Sequence, residues 1–298
     1  MTSTALISLP GNESLAASIA DAIGARQGRI EIRRFPDDET YLRFGSDVAG
    51  QDVILLCTLD RPDSKILALL FAAATARELG AHQVGLIAPY LSYMRQDRRF
   101  KSGEAVTSRC FARILSEAFD WLATVDPHLH RLSSLEEIYT VPARAVHAAP
   151  LVSDWIRETV DDPVLVGPDS ESEQWVAAVA GDAGAPHLVL QKVRHGDRDV
   201  EISVPDIEQW RHRRPVLVDD IISTGRTMIE TVGHLKRLGM RAPVCVGVHG
   251  IFAGAAFRDL NLAGASQVVT TNTVVHESNA IDVAEILAEA VLALTGDR

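Results

Sequence analysis

The stretch Val216-Leu-Val-Asp-Asp-Ile-Ile-Ser-Thr-Gly-Arg-Thr-Met228 concentrates residue types that do chemistry. Three apolar residues run into two carboxylates, Asp219 and Asp220. Ser223, Thr224, Gly225, Arg226 and Thr227 follow, and then an amphipathic run, MIETVGHLKRL, begins. A loop of small hydroxylated residues between a strand end and a helix N-terminus presents backbone N–H groups in a concave nest, where the helix dipole favours an anion. Gly225 permits close backbone approach. The two aspartates repel a phosphate but can accept hydrogen bonds from vicinal sugar hydroxyls. A sugar phosphate, ribose 5-phosphate above all, satisfies both halves. The plain alternative is a strand–helix turn with an aspartate cap.

Four further stretches carry candidate chemistry. RRFPDDE offers the Phe35 ring and the acceptors Asp37 and Glu39, which suit a purine's face and edge; by spacing alone it is equally a solvated surface hairpin. MRQDRRFKSGE sets Arg95, Gln96 and Asp97, then Arg98, Arg99 and Lys101, after the apolar run QVGLIAPY. Such a cationic cluster suits polyphosphate, although most charge runs are merely solvated. DPHLHR puts His128 and His130 beside Asp126, for a divalent cation, for phosphate or for a purely structural role. Lys192 and Arg194, two apart in an extended segment, face the same way and suit either a phosphoryl clamp or solvent.

The elements that must position these residues are legible as alternating short apolar runs and longer helical patterns. Strands are expected at TALISL, RIEIRRF, DVILLCTL, QVGLIAPY, WLATVD, PVLVGPD, HLVLQKV, PVLVDDI, PVCVGVHG and QVVTTNT. Helices are expected at ESLAASIADAIG, DSKILALLFAAATARELG, SRCFARILSEA, SESEQWVAAVAGDAG, TMIETVGHLKRLG and AIDVAEILAEAVLAL. This alternation predicts an α/β fold with mostly parallel sheets, whose ligands sit beyond the carboxyl ends of the strands. The chain falls into two similar halves, with the crossing point in VPARAVHAAPLVSDWIRE and domains at 1–147 and 148–298.

Bulk properties narrow the classes. The 298 residues carry a net charge of −11, which disfavours general nucleic-acid binding. Three scattered cysteines, Cys57, Cys110 and Cys245, provide neither a zinc site nor a disulfide framework. MTSTALISLPGNES lacks a basic n-region, and no apolar stretch approaches the roughly 20 residues of a membrane span. The expectation is a soluble cytoplasmic protein without nucleic-acid or membrane partners.

VLVDDIISTGRTM resembles the ribose-phosphate loop of the type I phosphoribosyltransferase fold. RRFPDDETYLRF, PYLSYMRQDRRFKSGEAVTSR, DPHLHR, VGPDSESEQ, KVR and VVTTNTVVHESNAIDV stand in the order seen in ribose-phosphate pyrophosphokinases. The resemblance covers nearly the whole chain. It implies two tandem phosphoribosyltransferase-like domains and magnesium-dependent diphosphoryl transfer from ATP to ribose 5-phosphate. It further implies ATP binding by Arg95, Gln96 and Asp97, with Phe35, Asp37 and Glu39 reaching a neighbouring subunit's nucleotide. Self-association, as a dimer or hexamer, follows. Asp219, Asp220 and Ser223 to Thr227 would hold the sugar phosphate. His128 and Asp169 would position magnesium, and Lys192 and Arg194 would be catalytic on a mobile loop.

The loop after Asp169 departs from the family pattern, with Ser170, Glu171, Ser172 and Glu173 where small residues are usual. Two carboxylates disfavour pyrophosphate unless they point away or bind magnesium, and an acidic first turn also suits a helix N-terminus. A phosphoribosyltransferase explains the ribose loop equally well but not the N-terminal half. A non-catalytic homologue that associates with true synthetases explains the acidic loop but not the retained Lys192, Arg194 and His128.

Overall fold

A computed structural model of the chain describes residues 3–129, 131–167, 172–194, 200–203 and 207–296, with 174, 191–194, 200–203 and 207 described by backbone alone. The first half runs β1 (Thr4–Ser8), α1 (Glu13–Ile23), β2 (Arg26–Gln27), β3 (Ile30–Arg34), β4 (Thr40–Phe44), β5 (Asp52–Leu56), α2 (Ile66–Glu78), β6 (Gln83–Ala88), α3 (Thr107–Ala118), β7 (Trp121–Val125) and β8 (Ala143–Val146). The second begins α4 (Ala149–Thr159), β9 (Pro163–Gly167), α5 (Glu173–Ala183), β10 (His187–Val189), β11 (Gln191–Arg194), β12 (Val200–Ser203) and α6 (Ile207–Trp210). It continues β13 (Arg214–Ile222), α7 (Arg226–Arg237), β14 (Val244–Gly250), α8 (Ala256–Ala263), β15 (Gln267–Thr271), β16 (Asn279–Ile281) and α9 (Ala284–Gly296).

Two six-stranded sheets result, ordered β2-β1-β5-β6-β7-β8 and β10-β9-β13-β14-β15-β16. Every pairing within them is parallel. The two orders are the same once each half is counted from its own first strand. Each half also inserts an antiparallel ribbon between its second and third sheet strands, β3–β4 in one and β11–β12 in the other. The expected α/β class is borne out, and so is the similarity of the halves.

The apolar runs are explained by burial on both sheet faces. In β13, Val216 and Val218 join one core cluster while Leu217 and Ile222 join the other. In β9, Leu165 and its neighbours Val164 and Val166 divide the same way. A strand covered on both faces has no polar alternation to show, and each fully buried Val or Leu contributes roughly 1.5–3 kcal/mol. In the first sheet, a Cβ on Gly85 would lie 2.0 Å from Trp121 Cε2. Gly85 is the cross-strand partner of Trp121, so the missing side chain makes room for the indole. No described helix is long and apolar enough to cross a membrane.

The chain divides into two compact units. One comprises Met1–His147, Thr273–Val275 and Val283–Arg298; the other comprises Ala148–Asn272 and His276–Asp282. A single cut at 147/148 assigns α9 to the second half, but α9 packs on α1, β7 and β8 of the first unit. Its Leu287, Ala288, Ala290 and Val291 are buried there. An amphipathic helix covers whichever apolar face it reaches, whatever its place in the chain. HLVLQKV also differs from expectation: it breaks at Leu190 into β10, in the main sheet, and β11, in the ribbon.

Candidate active site

In the second unit the DDIISTGRT stretch sits at the carboxyl end of a central strand. Asp219 is still within β13, paired with Gly247 of β14, and the strand continues to Ile222 opposite Gly250. Pairing with β9 ends earlier, at Leu217. Both aspartates are half-buried, and Asp219 Oδ1 accepts the Asp220 N–H at 3.0 Å. Ser223 and Thr224 form a bend, and Gly225, at φ 67° and ψ 5°, is the N-cap of α7 with no side-chain cap bond. The first N–H groups of a helix have no partner within it, so those of Arg226 and Thr227 are presented at the loop. The geometry is that of an anion nest beside two carboxylates.

The other candidates in this unit are reached only in part. Asp169, two residues past the last residue of β9 in the chain, lies outside the described residues. Lys192 and Arg194 lie on β11, opposite Ile202 and Val200 of β12; the backbone is extended there, as expected, and their side chains lie outside the description.

In the first unit Phe35, Asp37 and Glu39 form the tip of the β3–β4 hairpin. The Phe35 N–H donates to Glu39 O at 2.8 Å, and the Asp38 N–H to Phe35 O at 3.0 Å. Asp38 takes φ 68°, a left-handed turn position that aspartate tolerates. Phe35 is 41% exposed, with the Arg33 guanidinium 4.9 Å from its ring centroid. The tip and α2 border an open groove of about 520 Å³ whose lining includes Asp37, Glu39, Leu67 and Phe71.

Arg95, Gln96 and Asp97 lie in the long connection between β6 and α3. Arg95 is exposed, whereas the Asp97 side chain is only 5% exposed. Arg131 Nη1 donates to both Asp97 oxygens, at 2.9 and 3.1 Å. The Arg98 and Arg131 guanidinium groups lie 4.7 and 5.7 Å from the Phe100 ring. Glu104 accepts the Phe100 and Lys101 N–H groups at 2.8 and 2.9 Å. The loop is cross-linked through Asp97 and Glu104, while Arg95, Arg98, Arg99 and Lys101 remain exposed. Arg131 stands in DPHLHR, but only the fold brings it to Asp97.

Asp126 follows β7 at φ 33°, and its side chain is 10% exposed. His147, at the end of β8, places Nδ1 2.9 Å from Asp126 Oδ1. That hydrogen bond raises the His147 pKa above its ordinary value, partly opposed by burial and aided by the carboxylate charge. Sequence spacing marks Asp126 and His128 but not His147; the adjacency of β7 and β8 supplies it. His128 is half-buried beside Asp126 in the chain, and His130 lies outside the described residues. Among the described residues, no three His, Cys, Asp or Glu side chains converge to hold a metal ion. Carboxylate oxygens at strand ends are nevertheless the ligand type of a magnesium ion that keeps waters and binds substrate phosphates.

Residues 4–118 match the family model described as the N-terminal domain of ribose phosphate pyrophosphokinase, and residues 134–285 match the phosphoribosyl transferase domain. The ribose-phosphate pyrophosphokinase of Methanothermobacter thermautotrophicus is 34% identical over 287 residues, spanning 96% of this chain and 99% of the relative. The chain belongs to the ribose-phosphate pyrophosphokinase family. Its relatives in Methanopyrus kandleri and Saccharolobus solfataricus are each 33% identical, over 95% and 83% of this chain and 96% and 84% of their own lengths. The crystal structure of phosphoribosylpyrophosphate synthetase from Mycobacterium smegmatis superposes with a TM-score of 0.86 over 100% of both chains, at 23% identity. That likeness establishes the fold: two tandem phosphoribosyltransferase-like domains, each a mostly parallel sheet flanked by helices. As a member of the ribose-phosphate pyrophosphokinase family, the protein is an enzyme, a transferase.

Proposed function

We propose that the protein transfers the β,γ-diphosphoryl group of ATP to the anomeric hydroxyl of ribose 5-phosphate, with magnesium, giving phosphoribosyl diphosphate and AMP. The observation that carries the reading is the β13–α7 junction, where two half-buried carboxylates precede a glycine-capped helix N-terminus. Asp219 and Asp220 accept hydrogen bonds from the ribose hydroxyls. Ser223, Thr224, Gly225, Arg226 and Thr227 surround the 5-phosphate.

ATP binds to Arg95, Gln96 and Asp97, with Phe35, Asp37 and Glu39 supplied by the exposed hairpin of a second subunit. The exposure of Phe35 supports that role and the self-association it requires. The anomeric oxygen attacks the β-phosphorus as the bond from that phosphorus to the α,β-bridging oxygen breaks. AMP leaves with the bond's electron pair, and the hydroxyl proton is lost to solvent or to a phosphate oxygen. Lys192 and Arg194 neutralise charge on the transferring group, so catalysis is chiefly positioning and electrostatics. Asp169 and His128 hold magnesium, which when bound neutralises the charge of the phosphates. Asp169 offers the oxygen donor that this ion takes, and His128 is the weaker donor of the two.

Phosphorus NMR of the purified chain with ribose 5-phosphate, ATP and magnesium tests the reading. Equal amounts of AMP and a sugar diphosphate are expected. Intact ATP, or ADP alone, would remove it; release of pyrophosphate from phosphoribosyl diphosphate only when a base is added would point to a phosphoribosyltransferase.

A further inference from the structure

The turn that follows β14 holds the candidate sugar-phosphate loop from outside. The N–H groups of Ile251 and Phe252 donate to Ile222 O at 3.1 and 3.0 Å, and that of Ala253 donates to Ser223 O at 3.0 Å. The last residue of β13 and the first of the loop are thereby tied to a segment about thirty residues away in the chain. α8, which the turn leads into, supports a second point. A Cβ on Gly225 would meet Leu260 Cδ1 at 3.5 Å and Ala256 Cβ at 3.6 Å.

Phe252 makes this turn at φ 43°, a conformation that a bulky side chain adopts only where its surroundings enforce it. The surroundings are aromatic. The Phe252 ring is 7% exposed, with centroid distances of 5.2 Å to Phe257 and 4.4 Å to His276. Phe257 and His276 are themselves 4.7 Å apart. His276 is anchored in turn, with Nδ1 2.9 Å from Ser278 Oγ and its backbone N–H donating to Asn279 Oδ1 at 2.9 Å. Gly250 leaves the space for the ring: a Cβ there would lie 2.7 Å from Phe252 Cε2 and 3.0 Å from Thr270 Cγ2. A strained backbone and a ring locked by two others thus sit at the centre of a three-residue turn that donates three hydrogen bonds to Ile222 and Ser223.

We propose that Phe252 is a positioning residue. Its locked ring holds the 251–253 turn in the conformation whose N–H groups fix the Ile222 and Ser223 carbonyls, and with them the anion-binding loop. The proposal rests on the assignment of that loop to ribose 5-phosphate made above. It separates the substrates, because the latch acts on the sugar-phosphate loop and not on the residues assigned to ATP.

The test compares the full chain with Phe252→Ala, Gly250→Ala and Phe252→Tyr. Amide hydrogen exchange is followed by mass spectrometry over residues 221–227, and KM and kcat are measured for ribose 5-phosphate and for ATP. Phe252→Ala and Gly250→Ala are expected to speed exchange in that segment and leave exchange across β5 and β6 unchanged. They should lower kcat/KM for ribose 5-phosphate by roughly 100-fold, the scale of an ångström-level misplacement, with KM for ATP unaltered. Phe252→Tyr, which keeps the ring, is expected to retain wild-type values. If Phe252→Ala does not fold, Gly250→Ala against Phe252→Tyr carries the comparison. Wild-type exchange in a folded Phe252→Ala or Gly250→Ala chain, or an equal rise in both KM values, overturns the proposal. Faster exchange with an unchanged KM for ribose 5-phosphate overturns it too. A wild-type chain that does not consume ribose 5-phosphate defeats the sugar-phosphate reading instead, and the exchange rates still decide whether Phe252 latches the loop.

Discussion

Replacing Gly225 with alanine tests whether the loop needs this glycine for its backbone conformation or for space. The structure separates the two. A Cβ at Gly225 would find its nearest neighbours at 3.5 and 3.6 Å, ordinary van der Waals contact, so the steric contribution is close to zero. The conformational contribution is not, because Gly225 sits at φ 67°. A side-chain-bearing residue in the left-handed region costs ~1–2 kcal/mol. The lower entropy of the unfolded alanine chain offsets part of that cost, by ~0.4–1 kcal/mol. The net loss for Gly225→Ala is therefore about 1 kcal/mol. Gly225→Asn should lose less, since asparagine tolerates the left-handed region, although its side chain is larger. Urea denaturation followed by tryptophan fluorescence reads the stability, with Trp155, Trp175 and Trp210 reporting on the second unit and Trp121 on the first. KM for ribose 5-phosphate should rise for both variants, and more for alanine. A loss above about 3 kcal/mol for alanine would mean a clash that the structure does not contain. An asparagine variant less stable than the alanine variant would refute the conformational argument directly.

Three more outcomes are expected. Arg131→Met removes the partner of the nearly buried Asp97 carboxylate; a hydrogen bond to a charged group is worth ~1.5–3 kcal/mol, and because Arg131 is 44% exposed the loss should fall at the lower end, with KM for ATP raised and KM for ribose 5-phosphate unchanged in steady-state kinetics. Lys192→Ala should lower kcat by roughly 100-fold or more with an unchanged melting temperature; unchanged turnover would remove Lys192 from the transition-state role. Proton NMR should show His147 titrating above its ordinary value of 6.5 in the wild type and nearer to it in Asp126→Asn. Because the folded-state pKa is the raised one, the stability His147 contributes is fully present below the unfolded pKa and is lost as pH rises through the folded value. The urea-midpoint gap between wild type and His147→Ala should accordingly be wider at about pH 5.5 than at about pH 8.5; the opposite slope would contradict the Asp126 hydrogen bond.

The residues of DDIISTGRT are legible in the chain because the strand, the cap and the helix they belong to are set locally, although the turn that holds them is distant. The apolar run sets a strand buried on both faces, Gly225 supplies the left-handed cap, and the 3.6-residue period of TMIETVGHLKRL sets the helix behind it. The same holds for the alternation of strands and helices that determines an α/β fold. Where a residue's partner is distant, local pattern has no means of reporting it. HLVLQKV reads as one strand, yet its halves pair with β9 and β12, in two different sheets.

The sequence by itself thus determined the fold class, the glycine-capped loop proposed to bind phosphate and the residue types on offer. Tertiary structure alone decided who meets whom. Strand order joins Asp126 to His147, 21 residues on, and the loop geometry joins Asp97 to Arg131, 34 residues on. It also seats Phe252 against Ile222 and carries α9 back onto α1. Periodicity encodes which face of an element is apolar, but the identity of the surface that covers it emerges only when every strand has taken its place in a sheet.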